Sequence, residues 1–378
     1  MTLPVYLDCN ATTPMEPAVA ALVRDFFDRE FGNEGSRTHV YGAAAKQAVQ
    51  RAREQVASVV GAKREEVIFT SGATESNNLA ILGLAPFGSK SGRRHIVSTA
   101  IEHKAVLEPL EHLGAQDFEV TLIECGRSGA VSAEDVLAAV REDTLLVSVM
   151  HVNNETGIQQ PIGEICSGLA GHAAYLHVDA AQSFGKDLAV LKNTRIDLIS
   201  ASGHKLYAPK GVGALVTRRR EYDRPPIEPL FFGGGQERGL RPGTLPVGLI
   251  AGLGLACELA VKQAEERAAK NSAFRSNLLE HLAVLGPIFH GDHDLAVPHT
   301  INFSIPGVDS EALMVALKDL VAVSNGSACT SSSYSPSHVL TAMDLTEDQI
   351  AGAVRMSWCH MTPEVDWGRF VEVVQSLR

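Results

Sequence analysis

Cysteine is sparse and dispersed. The six thiols stand at positions 9, 125, 166, 257, 329 and 359 of 378, and no two form a C-x-x-C pair. That sets aside both a zinc ribbon and a disulfide framework. No apolar run approaches the roughly 18 residues that a membrane helix needs, so no span and no membrane partner are expected. The opening residues, MTLPVYLDCN, contain neither a basic nor an apolar signal region. The expectation is a cytoplasmic protein. Basic residues are in deficit, 33 Lys and Arg against 44 Asp and Glu for a net charge of −11, which argues against direct nucleic-acid binding. The single basic run, Arg218-Arg219-Arg220, reads as a solvated turn. Low-complexity segments and internal repeats are missing too.

A chain of this length corresponds to two domains or one large one, at about 100–200 residues each. It is long enough to bury a core without covalent staples. Short β-branched runs alternate with helix-sized segments: Val67–Thr70, His95–Ser98, Glu119–Ile123, Leu145–Met150, Tyr175–Asp179, Ile196–Ser200 and Val212–Val216. Seven strands in that rhythm predict an α/β fold with a large, mostly parallel sheet covered on both faces. Ala44, Ala48, Ala52, Val56 and Val60 suggest the apolar stripe of one helix, stopped by Gly61.

The last third has a different texture. A long helical pattern covers about Val247–Leu285, followed by strands near Thr300–Ile305 and Val321–Ser324. Ser335-Pro336 and Thr362-Pro363 read as helix starts, and Thr346 with Gln349 as a capping box. Phe370, Val373, Val374 and Leu377 would be the apolar side of the last helix. This predicts a smaller α+β domain.

Ligands of an open parallel sheet bind beyond the carboxyl ends of its strands. Four segments fall there. In TSGATESNN, Ser71–Thr74 is either a capped helix start or a cradle of free amides for a phosphate. It matches neither the dinucleotide nor the P-loop glycine pattern. In HVDAAQS, Asp179 is either a helix cap or an acid that pairs with a pyridinium nitrogen, with Gln182 beside it. In ASGHKLYAPKG, Lys205 is either solvated or a Schiff-base lysine among small residues. GGGQERGLRPGT is an irregular loop in which Thr244 offers a weaker phosphate contact. Pyridoxal phosphate needs a phosphate cradle, a ring acid and a lysine, and one chain supplies all three in order.

DCNATTP, FGNEGSRTH, TSGATESNN, EHKAVL, MHVNNETG, HVDAAQS, SGHKLYAPKG, GGGQERGLRPGTLP and SNGSACTSSS together resemble the cysteine desulfurases of the NifS/IscS group. The likeness runs from Val5 to about Ser357. It implies a fold-type I pyridoxal-phosphate enzyme and a homodimer with active sites at the interface. It implies a large domain over 15–256 and a small one over 1–14 and 257–378 that carries the catalytic cysteine. Lys205 would hold the cofactor. His103 would stack on the ring and move protons, and Asp179 would pair with the ring nitrogen. Gln182 and Asn154 would contact the ring hydroxyl side. Ala73, Thr74, Ser202 and His204 would hold the phosphate, with Thr244 from the other subunit. Asn33 and Arg355 would take the substrate carboxylate. No metal is implied.

Cys329 decides the reaction. It lies in the run Asn325–Ser333, too polar and glycine-containing to be a usual place to bury a thiol. A thiolate there could attack the sulfur of bound L-cysteine. The other five cysteines are assigned to structure, and Cys9 is placed near the site entrance. The sulfur would pass to an acceptor protein thiol for DNA phosphorothioation, tRNA thiolation or iron–sulfur assembly. Rival readings are a selenocysteine lyase, a class V aminotransferase, and a catalytically idle fold acting as a binding partner.

Overall fold

A computed structural model describes residues 3–325 and 336–378. Seven strands form the main sheet: β2 (Val67–Thr70), β3 (His95–Thr99), β4 (Glu119–Ile123), β5 (Thr144–Met150), β6 (Tyr175–Asp179), β7 (Leu198–Ser202) and β8 (Gly213–Thr217). A short β1 (Val5–Tyr6) precedes them. The spatial order is β2-β8-β7-β6-β5-β3-β4. Only β8 runs against the rest, antiparallel to both β2 and β7. The carboxyl ends of β2, β3, β5, β6 and β7 therefore share one edge.

Both faces are covered, as crossover connections require. Alternate residues of each strand point to opposite cores. Val67, Phe69, Val97, Ile199, Ala214 and Val216 face a core shared with α1 (Pro17–Asp28) and α2 (Val40–Val60). Ile68, Ile96, Leu198 and Leu215 face another, shared with α3 (Ala73–Ser91) and α4 (Lys104–Gly114). Gly213 is a glycine because the turn that follows β2 comes too near for a side chain. A Cβ there would lie 2.6 Å from the Cα of Gly72. That crowding draws the turn before α3 down onto the sheet edge.

The stripe of α2 is Ala45, Val49, Ala52, Val56 and Val60, not the set containing Ala44 and Ala48. A strict four-residue step drifts about 40° per step around a helix, so its early members turn away from the core. Gly61 ends the helix in the left-handed conformation, as expected. Arg218 is not in a solvated turn. It is buried, and its guanidinium donates to the carbonyls of Leu191 and Asn193 at 2.8 Å each. Arg220 pairs with Asp197 at 2.7 Å. Carbonyls left over where strands and helices end attract these cations inward.

After β8, a loop is fastened to the edge strand by a buried ion pair. Glu237 accepts from both ends of Arg53, at 2.6 and 2.8 Å, and from the amide of Phe69 at 2.8 Å. The short helices α5 (Ala133–Ala138) and α6 (Ile162–Gly168) cover the sheet between β4 and β6. The long helix expected after Val247 is two helices. The apolar α7 (Val247–Lys262) packs on α1 and α2, and the polar α8 (Ala264–Ala283) leaves it at 76°. No proline or glycine marks the bend. Packing imposes it, because α7 covers the large sheet and α8 covers a separate core.

That second core is built on an antiparallel sheet of β9 (Ile288–Phe289), β10 (Thr300–Ser304) and β12 (Val354–Ser357), with β1 pairing in parallel with β11 (Val321–Ala322). Leu7, Phe303, Trp358, Trp367 and Phe370 fill it. Around it lie α9 (Ser310–Leu317) and α12 (Trp367–Gln375), whereas α10 (His338–Ala342) and α11 (Glu347–Ala351) turn their apolar residues to the core of the large sheet. The capping box of Thr346 and Gln349 is present. Two other helix starts lie elsewhere than expected. Ser337 caps α10, two residues after Ser335, which is outside the described residues. Asp366 caps α12, because the hydroxyl of Thr362 is taken by the amide of Cys359 at 2.9 Å. Among the described residues, no single helix is long and apolar enough to cross a membrane.

Candidate active site

Asp179 ends β6 and is buried. Its Oδ2 accepts from Nδ2 of Asn77 at 2.7 Å and its Oδ1 from the amide of Ala181 at 2.9 Å. Asn77 sits one turn into α3, on its buried face. Sequence reasoning passed over it. The signal was a polar residue at a helical position that the core pattern makes inward-facing.

Lys205 follows β7 in a single 3-10 turn, and Ser202 is the strand's last residue. The strand runs two residues past its expected end, so Ser202 is fixed by the ladder to Gly213. The lysine Nζ donates to the carbonyls of Asn10 and, at 2.8 Å, Ala11. Gln182 donates from Nε2 to the same Asn10 carbonyl at 3.0 Å. The Asn10 side chain donates to Thr300 at 3.0 Å and to the Asn154 carbonyl at 3.1 Å. Asn10 thus joins both sheets, and it was not singled out from the DCNATTP motif.

His103 caps α4, with Nδ1 accepting from the Ala105 amide at 3.0 Å. Burial holds its pKa below the usual histidine value, against the pull of Asp179. With Nδ1 taken as an acceptor, the ring nitrogen left to carry a proton is Nε2. Beside it Glu102 is fully buried. Its Oε1 accepts from Thr99 at 2.7 Å and the Met150 amide at 2.8 Å, and burial pushes its carboxyl up to about 8. His204 meets Thr12 at 3.2 Å, and burial followed by the Lys205 charge lowers it to about 4.

Arg355 lies on β12 and pairs with Asp8 at 2.5 Å and with the Asn154 carbonyl at 3.0 Å. Its Nε is buried without a partner. The Asn154 carbonyl thus accepts from both Arg355 and Asn10. Asn33 and Thr244 are exposed, and Asn33 closes a turn onto Gly35 at 2.8 Å. Cys329 lies outside the described residues. The residues flanking that segment are tied to the site. Ser324 bridges Arg355, Ser337 donates to Glu155 at 2.5 Å, and His338 meets the Glu102 carbonyl at 2.9 Å. Cys9 is not at an entrance. It is buried against Tyr207 and Cys359.

The arrangement brings together Asp179, Gln182, Ser202, His204, Lys205 and His103 at one sheet edge, under the first turn of α3 with Ala73 and Thr74. That turn has no side-chain cap. Oδ1 of Asn77 and Oε1 of Gln182 are buried with no protein partner. Uncapped amides, a buried acid and orphaned buried oxygens suit a bound group that carries both a phosphate and a polar ring.

The aminotransferase class-V family model matches residues 5–370. The chain belongs to the class-V aminotransferase family, among its cysteine desulfurases. The cysteine desulfurase IscS of Klebsiella pneumoniae is 44% identical over 379 residues, covering 100% of this chain and 93% of that one. The crystal structure of DndA from Streptomyces lividans is 53% identical with a TM-score of 0.83, over 92% of this chain and 98% of that one. The structure of SspA in complex with cysteine is 36% identical with a TM-score of 0.81, over 95% and 100%. The enzymes of this family depend on pyridoxal phosphate, and the residues described above fit that cofactor.

Proposed function

We propose that the chain converts L-cysteine to L-alanine and keeps the sulfur as a persulfide on Cys329. The observation that carries this is the junction at Asn10, where one carbonyl accepts from both Lys205 and Gln182. Ala73, Thr74, Ser202 and His204 would hold the cofactor phosphate, with Asp179 at the ring nitrogen, Gln182 and Asn154 at the hydroxyl side and His103 over the ring. When bound, the cofactor supplies an electron sink for the bond that breaks at the substrate Cα.

The protein's own groups do the rest. Lys205, released from the Asn10 and Ala11 carbonyls, takes the Cα proton and returns a proton to carbon. His103, its Nδ1 held by the Ala105 amide, carries a proton at Nε2. Arg355 binds the substrate carboxylate with its free Nε and with the nitrogen that Asp8 now holds; Asn33 assists. The thiolate of Cys329 attacks the substrate sulfur, so a sulfur–sulfur bond forms and the carbon–sulfur bond breaks. One thiol and one cysteine give one persulfide and one alanine. An acceptor protein thiol then removes the outer sulfur.

The same reading assigns a large unit, 15–256, and a small unit, 1–14 with 257–378, meeting near the bend between α7 and α8. It assigns a homodimer. Phe232 is 88% exposed, and a Cβ on Gly233 would lie 3.2 Å from Pro242, so the loop folds back on itself and presents an apolar surface that a second copy would cover. The five described thiols are all free, which suits a reducing cytoplasm. The test is an absorbance spectrum of the holoenzyme with and without cysteine, with product analysis. A disturbed cofactor band with alanine formed is expected. Pyruvate formed from alanine and a keto acid, without cysteine turnover, would overturn it.

A further inference from the structure

Cys9 and Cys359 meet beneath the lysine loop. Both are buried, 1% and 3% exposed, and they share a small cluster with Tyr207. Tyr207 is two residues after Lys205, and Cys9 is directly bonded to Asn10, whose carbonyl holds Lys205. The two thiols pack side by side in that cluster. Thr362 adds a contact to the Cys359 sulfur at 3.8 Å. Lys186 reaches the same place. Its Nζ is buried without a hydrogen-bond partner and lies 5.9 Å from the centre of the Tyr207 ring.

This is an expensive arrangement for packing alone, since an unpaired buried ammonium costs several kcal/mol. Burial pushes the Lys186 amine down to about 8. The neighbouring Cys9 thiol, more than any other influence, draws the Cys359 thiol down, and Lys186 adds to it. Cys9 is driven up, by Cys359 first and by burial second. One sulfur is prepared as a nucleophile and the other as the thiol that resolves it. By contrast burial alone raises Cys257, and Cys125 and Cys166 are raised to about 11.

We propose that Cys9 and Cys359 form a peroxide-oxidisable dithiol, with Lys186 as its proton carrier, built against the seat of Lys205. Burial restricts the oxidant to something as small as hydrogen peroxide. The Cys359 thiolate attacks one peroxide oxygen. The oxygen–oxygen bond breaks, and the leaving hydroxide takes a proton from Lys186 as water. Cys9 then gives its proton to Lys186 and attacks the Cys359 sulfur. The sulfur–sulfur bond forms, the sulfur–oxygen bond breaks, and a second water leaves with that proton. Two thiols are oxidised and one peroxide is reduced to two waters. The covalent link pulls on Cys9 and so on the Asn10 carbonyl. Only this last consequence rests on the role given to Lys205.

The test uses the holoenzyme with Cys329→Ser, so that the catalytic thiol cannot contribute. After hydrogen peroxide, remaining thiols are alkylated in denaturant and the unreduced digest is mapped by mass spectrometry. A Cys9–Cys359 linked peptide is expected, reversed by dithiothreitol, with Cys125, Cys166 and Cys257 still alkylated. Adding Lys186→Met should slow the linkage about tenfold, the effect of moving a thiol by one pKa unit. Alkylation of Cys9 and Cys359 to the same extent as Cys257 would overturn the proposal, as would over-oxidised Cys359 with no linked peptide. The oxidised protein should also lose cofactor on gel filtration faster than the reduced one, and Cys9→Ser should remove that difference. Equal loss before and after linkage would overturn the coupling to Lys205.

Discussion

Asn77 donates to the inner oxygen of Asp179 at 2.7 Å, from a helix whose first turn faces the same site. One side chain therefore orients the acid proposed for the ring nitrogen, while its own Oδ1 is left buried and unpaired. Asn77→Ala should weaken cofactor binding about 10- to 100-fold, the range for losing a hydrogen bond to a charged group. Titrating the apo variant with pyridoxal phosphate and following absorbance measures this directly. Unchanged affinity would remove Asn77 from the site.

Lys205→Ala should leave the fold intact and lower alanine release by about 10²–10⁴-fold, the range for a group that transfers protons in the reaction. It should also abolish the borohydride-trappable link between protein and cofactor. A trapped adduct on any other lysine, found by peptide mapping, would show the assignment to be wrong.

The Arg53–Glu237 pair is almost fully enclosed, at 2.6 Å. Glu237→Ala would leave an uncompensated cation against the edge strand. A loss of about 3–5 kcal/mol is expected. Urea unfolding of the holoenzyme gives the value, and a change below about 1 kcal/mol would mean that the loop is held by other contacts.

Acid should destabilise the protein through His177. It is buried between Ser148 at 2.8 Å and Ser200 at 2.9 Å, and burial lowers it to about 4. The unfolded chain binds this proton near pH 6.5, so between about 6.5 and 4 the unfolded state takes up more protons. The contribution, on the order of 3 kcal/mol, is present above that window and is lost as pH falls through it. Glu102 acts in the opposite sense. Raised to about 8 by burial, it favours the fold at low pH and loses that contribution as pH rises from its unfolded value toward 8. His177→Gln should flatten the acid limb of a plot of urea midpoint against pH. An acid limb as steep as that of the parent protein would contradict this origin.

Most of the large sheet was legible because strand alternation and turn residues are local signals. Strand ends moved by one or two residues, which mattered at Ser202. The 76° bend at Gln263 was not legible, because no local residue causes it. The starts of α10 and α12 were misplaced because Ser337 and Asp366 competed with equally good caps nearby. At the site, Lys205, Asp179 and His103 were visible as chemistry-bearing residues at strand ends. Asn10, Asn77 and Glu102 were not, since their importance lies in bonds made across 102 to 290 residues of chain or in burial alone. The inward turn of Arg218 was missed for the same reason.

The central claim is that sulfur from cysteine is held on Cys329. Holoenzyme given a limiting amount of isotopically labelled L-cysteine, then alkylated and digested without reduction, tests it most directly by mass spectrometry. The account predicts labelled persulfide on the Cys329 peptide, in proportion to the alanine formed, and almost no alanine from Cys329→Ser although the cofactor still responds to cysteine. Labelled persulfide on Cys9 or Cys359 instead, or full turnover by Cys329→Ser, would contradict it.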